Sequence, residues 1–94
     1  MLKRINEINK EIKETKKKIK KAEKDVKDSE VSIRNEKRKH RREYEDDEEQ
    51  QDNIDHLTRT LQDEVYILGD LRYKLEELVR DRDTAEDEIE YHLE

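Results

Sequence analysis

The chain has no proline and no cysteine, and Gly69 is the only glycine among its 94 residues. With so few breakers, nothing in it forces a helix to stop. The absence of cysteine excludes a disulfide framework and a thiolate metal site, and it fits an intracellular, cytoplasmic setting. Phenylalanine and tryptophan are also missing, and only 29% of residues are apolar. That is too little for a globular core of ordinary thickness. The longest apolar run, Val65-Tyr66-Ile67-Leu68, is far too short for a membrane span or a secretory signal.

What the chain does contain is charge: 53% of its residues are Asp, Glu, Lys or Arg. Such a composition leaves disorder or long helices that bury one narrow stripe, and the Glu, Lys, Arg, Leu and Ile content favours helix. Periodicity decides between them. With heptad position a at Ile5, the a and d series hold apolar residues at 17 of 27 positions, against 10 of the remaining 67. One unbroken phase with that contrast predicts a left-handed coiled coil. From Ile5 to Ile33 the a positions are β-branched, while the d positions Thr15, Ala22 and Ser29 are small. Leucine dominates the seam from Leu57 to Leu78. Between Glu36 and Gln50 the seam is wholly polar, which marks either a turn or a weak stretch of one long helix.

Charge sets the orientation. Residues 1–42 carry 17 basic and 8 acidic residues, a net of +9, and residues 43–94 carry 5 and 20, a net of −15. A parallel pair would lay like charge on like charge, whereas antiparallel packing pairs opposite signs. The expected fold is therefore all-α, an antiparallel coiled coil: a two-helix hairpin with helix 1 at about 2–43, a charged turn at 44–53 and helix 2 at about 54–93. The alternative is a full-length antiparallel helical dimer. Lys37 to Arg42 suits the end of one helix and Glu45 to Asp52 the start of the next, with Asp52 or Asn53 as N-cap.

The register that satisfies the rim charges best sets Val26 opposite Leu71, Ile19 opposite Leu78 and Ile8 opposite Ile89. It brings Lys18 to Asp81 and Asp25 to Lys74, with Glu11 against Glu88 as its one clear conflict. A shift of one heptad would set Glu11 against Asp81 and Lys18 against Lys74. Both pairs are repulsive, so the unshifted register is expected. Gln50, in the polar break, is expected to tolerate a charged replacement.

The function expected of such a chain is protein association, as a structural or adaptor coiled coil. Val65 and Val79 at e, and Ile67 at g, widen the apolar face beyond what two helices need. The candidate partner-binding face is thus Leu57, Leu61, Val65, Ile67, Leu68, Leu71, Leu75, Leu78 and Val79, and its partner is a second copy or another helical protein. The alternative is a nucleic-acid- or RNA-polymerase-associated regulator that uses the basic run 37–42 or the acidic tip 45–49. The acidic block Glu45 to Glu49 at a hairpin tip is similar to the coiled-coil fingers of transcription factors that enter the RNA polymerase secondary channel. That resemblance covers a two-helix shape and a run of acids, and it implies a magnesium ion held near the tip. Against nucleic acid stand the net charge of −6 and the lack of any alternation of aromatic and basic residues.

No enzyme chemistry is expected. His40, His56 and His92 are scattered, and none has a Glu three residues before it, so the paired Glu-x-x-His pattern of di-iron bundles is absent. There is no Ser/His/Asp or Cys/His constellation, and a two-helix pair offers no concave site that excludes water. No cofactor, metal or small-molecule substrate is anticipated. Tyr44, Tyr66, Tyr73 and Tyr91 are expected to cover the seam edges.

Overall fold

The computed structural model describes the backbone of residues 2–39 and 47–93, and the side chains of residues 2–39 and 48–89. It is an all-α helical hairpin. α1 spans Leu2–Arg38 and α2 spans Asp47–Leu93. The heptad phase read from the sequence is the phase of burial. In α1 every a and d position from Ile5 to Glu36 is buried or half-buried, and no other residue is. In α2 the same holds from Gln50 to Ile89, joined only by Thr58 and Val79. Each helix thus buries one narrow stripe and leaves its charged residues in water, apart from Glu36, Glu64 and Arg82 within the stripe.

The helix bounds differ from the expected ones. α1 ends at Arg38, not at 43, and α2 begins at Asp47, so Gln50 to Asn53 are helical and the anticipated N-cap at Asp52 or Asn53 is not one. Residues 40–46 lie outside the described residues. The dipole accounts for both boundaries: Lys37 and Arg38 fill the last turn of α1, while Asp47, Glu48 and Glu49 open α2, and each sign is favourable at its helix end. Gln51 Nε2 also donates to Asp55 Oδ1, one turn on, at 2.9 Å.

Backbone contacts divide the chain into two compact units. The terminal unit comprises Met1–Lys20 and Gly69–Glu94, and the central unit Lys21–Leu68. In the terminal unit, Ile8, Ile12 and Leu78 form a buried cluster with Leu75 and Val79 packed against it, and Leu2 and Ile5 share a shallow depression with Glu86 and Ile89. In the central unit the contacts are polar. The Ser29 hydroxyl reaches both carboxylate oxygens of Glu64, at 2.8 and 3.0 Å. Gln50 Nε2 donates to the Glu36 carbonyl at 3.0 Å, and Asn53 Nδ2 lies 3.4 Å from Glu36 Oε1. Within each unit, later residues of α1 meet earlier residues of α2, so the helices run antiparallel.

These contacts correct the expected register. Ile12 meets Leu78 where Ile19 was anticipated, which is the alignment shifted by one heptad, and Gln50 reaches Glu36, one turn from the Ile54 that this alignment sets opposite Glu36 and about three turns from the Leu61 of the unshifted one. In the unshifted register Leu57 would lie opposite His40, and in the shifted one it lies opposite Ile33. Covering a leucine contributes roughly 1.5–3 kcal/mol, whereas an exposed ion pair on the rim contributes about 0.2–1 kcal/mol. Apolar matching therefore outweighs the repulsion of Glu11 with Asp81 and of Lys18 with Lys74 that the register brings.

Candidate protein-binding surface

The seam residues of α2 are positioned by pairing with α1. Leu68 and Leu78 are buried, and Leu57, Leu61, Leu71, Leu75 and Val79 are half-buried. Small side chains on α1 make room for the leucines: the register sets Ser29 opposite Leu61, Ala22 opposite Leu68 and Thr15 opposite Leu75. Val65 and Ile67 behave differently, remaining 50% and 54% exposed. As e and g residues they lie on opposite flanks of the seam. The nine residues of the anticipated face are thus divided between a seam largely occupied by α1 and two exposed apolar flanks.

The tyrosines depart from their expected place over the seam edges. Tyr66 and Tyr73 are 71% and 64% exposed; both occupy heptad position f, which points directly away from the partner helix. The phase itself carried that signal. Tyr44 and Tyr91 lie outside the residues whose side chains are described. A hydrogen bond to Glu77, and then the charge of that carboxylate one turn away, raise the Tyr73 phenol above its ordinary value.

Polar residues inside the seam are accommodated individually. Glu64 is met by the Ser29 hydroxyl. Gln50 is only 7% exposed, which corrects its reading as a tolerant position. The Glu36 carbonyl that it binds also accepts from the Lys39 N–H at 3.2 Å. Carbonyls in the last turn of a helix are short of regular α-helical donors, and Gln50 supplies this one with a second donor, capping α1 from across the seam. Arg82 lays its stem over the seam. Its Nε is buried without a hydrogen bond and lies 3.6 Å from Asp83 Oδ1, an ion-pair distance too long for a hydrogen bond.

A shallow open groove on the terminal unit is lined by Leu75, Glu76, Val79, Arg80 and Asp83. Its floor is apolar and its rim charged, and sequence reasoning picked out only the floor. Among the described residues no group of three or more His, Asp or Glu could hold a metal ion. None of the described helices is long and apolar enough to cross a membrane. Of the basic run, residues 40–42 lie outside the described residues, as do Glu45, Asp46 and the side chain of Asp47 in the acidic tip, where the resemblance implied a magnesium ion. No family model, curated protein or solved structure matches the chain.

Proposed function

We propose that the chain is a structural or adaptor coiled coil that associates with a helical surface, either a second copy or another helical protein. The carrying observation is the exposure of Val65 and Ile67 on the two flanks of a seam whose own leucines are already engaged. Aliphatic residues at e and g suit a third or fourth helix laid beside a pair. Exposed apolar groups of this kind lose contact with water when such a helix arrives, which supplies the driving force.

A photo-cross-linking amino acid at position 67, introduced into the full chain in its native host, tests this reading. Cross-links to an α-helical segment of this chain or another are expected, and the same amino acid at position 65 reads the other flank in the same way. Cross-links only to nucleic acid, or none at all, would remove the basis of the proposal.

A further inference from the structure

The register has a second effect on the terminal unit: it sorts charge along the helices. On the flank of Val79, Lys16, Lys17 and Lys20 of α1 lie at the level of Arg72 of α2, which makes a basic belt. Beyond it on the same flank, α2 carries Asp83, Glu86 and Asp87 at the level of Lys3 on α1, which makes a belt of net acidic charge. Among the described residues, no ion pair or hydrogen bond engages the side chains of Lys16, Lys17 or Lys20.

The groove of Leu75 and Val79 lies where the two belts meet, with Glu76, Arg80 and Asp83 on its rim. We infer that this groove receives a second copy of the chain, related by a two-fold axis that runs through it and lays α2 antiparallel on α2. Under that symmetry, Leu75 of each copy meets Val79 of the other, and Glu76 of each meets Arg80 of the other. The basic belt of one copy falls on the acidic belt of its mate, twice over. A two-fold contact demands a self-complementary patch, and an acid and a base one turn apart on either side of an apolar centre satisfy that demand. Because the apolar floor is small, opposite charge carries most of the attraction, and salt weakens it.

This inference rests on the association reading above and names one partner for it. Sedimentation of the pure full chain tests it. A two-chain mass is expected in dilute buffer and a one-chain mass near 1 M salt, where the screening length falls to about 3 Å. Lys16→Glu with Lys20→Glu, and separately Asp83→Lys with Glu86→Lys, should each give a one-chain mass while the helical circular dichroism is retained. Mixing the two reversed proteins in equal amounts should restore the two-chain mass, which neither a folding defect nor a general charge effect would do. A one-chain mass in dilute buffer at the highest attainable concentration, or a pair indifferent to both reversals, overturns the inference. The cross-linking readout at position 67 is independent of it, so a monomeric protein that still cross-links to another helical chain would spare the broader reading.

Discussion

Trimming Ile12 and Leu78, singly and together, measures the register of the terminal unit. Ile12 is 4% exposed and Leu78 9%, and both belong to the same buried cluster. Truncation of such side chains to alanine costs about 2–5 kcal/mol. Here the lower half of that range is expected, about 2–3 kcal/mol each, because Leu75 and Val79 at the edge of the cluster are only half-covered and can move into the space. Residues in contact show coupling of about 0.5–3 kcal/mol, so the double variant Ile12→Ala with Leu78→Ala should lose less than the sum of the single losses, by about 1 kcal/mol. Ile19→Ala with Leu78→Ala is the control. In the observed register Ile19 lies one heptad away from the level of Leu78, roughly 10 Å along the helix, and distant pairs add to within about 0.3–0.5 kcal/mol. Urea unfolding followed by ellipticity at 222 nm supplies all the numbers, with an unchanged m-value as the check that the unfolded state is the same. If Ile19 couples to Leu78 and Ile12 does not, the helices pair in the register that rim charge prefers, and the energy comparison made above is wrong.

Further substitutions probe other features. Gly69 sits inside α2 with ordinary backbone angles and open space where a Cβ would go, so Gly69→Ala should stabilise the fold by about 1 kcal/mol; a destabilised variant in the same urea assay would contradict that open environment. Glu64→Leu should raise the melting temperature by filling a seam position with an apolar group, whereas Ser29→Ala should lower it by stranding a half-buried carboxylate, at a cost of about 1–2 kcal/mol; equal melting of both variants would count against the bond. Gln50→Lys should destabilise measurably by chemical denaturation, since it places a charge where a capping amide lies buried, and a silent result would refute the cap. Tyr73 should ionise later than an ordinary phenol in alkaline titration at 295 nm, and Tyr73→Phe should delete that late step. Because the folded-state value is the raised one, the contribution of Tyr73 to stability is complete below the ordinary phenol range and is lost as pH climbs through the raised value.

The seam was legible from sequence because burial in a two-helix pair depends on little besides spacing. Ile5 through Ile33 and Leu57 through Ile89 lie inside for the same reason that they recur every seven residues. The register was not legible from the rim, because pairs such as Lys18 with Asp81 are worth a fraction of a covered leucine. An argument from charge selects among alignments only when their apolar layers are equal, and here they are not. The position of the interruption misled for a related reason. Glu48, Glu49 and Gln50 looked like turn residues by polarity, yet each is a good helix former, and a polar seam residue can be held by one partner on the facing helix. Of the candidate surface, Val65 and Ile67 were legible as e and g residues wider than the seam. The charged rim of the groove was not, since Glu76, Arg80 and Asp83 acquire meaning only once the register is known.

The bond from Gln50 to the Glu36 carbonyl also bears on the order in which the chain assembles. It joins residues 14 apart, whereas the Ser29–Glu64 bond joins residues 35 apart. Closing the longer loop costs about 0.8 kcal/mol more chain entropy, and the Ile12–Leu78 layer closes a longer loop still. Contacts beside the chain reversal therefore cost the least chain entropy to form, which favours assembly as a zipper started at its closed end. In such a zipper Gln50 would set the alignment at the first tooth, before most of the leucines had met a partner. A chain that began to zip in the charge-favoured alignment would set Gln50 about a heptad away from the carbonyl it caps and would meet that penalty at once, while the error still involved few residues.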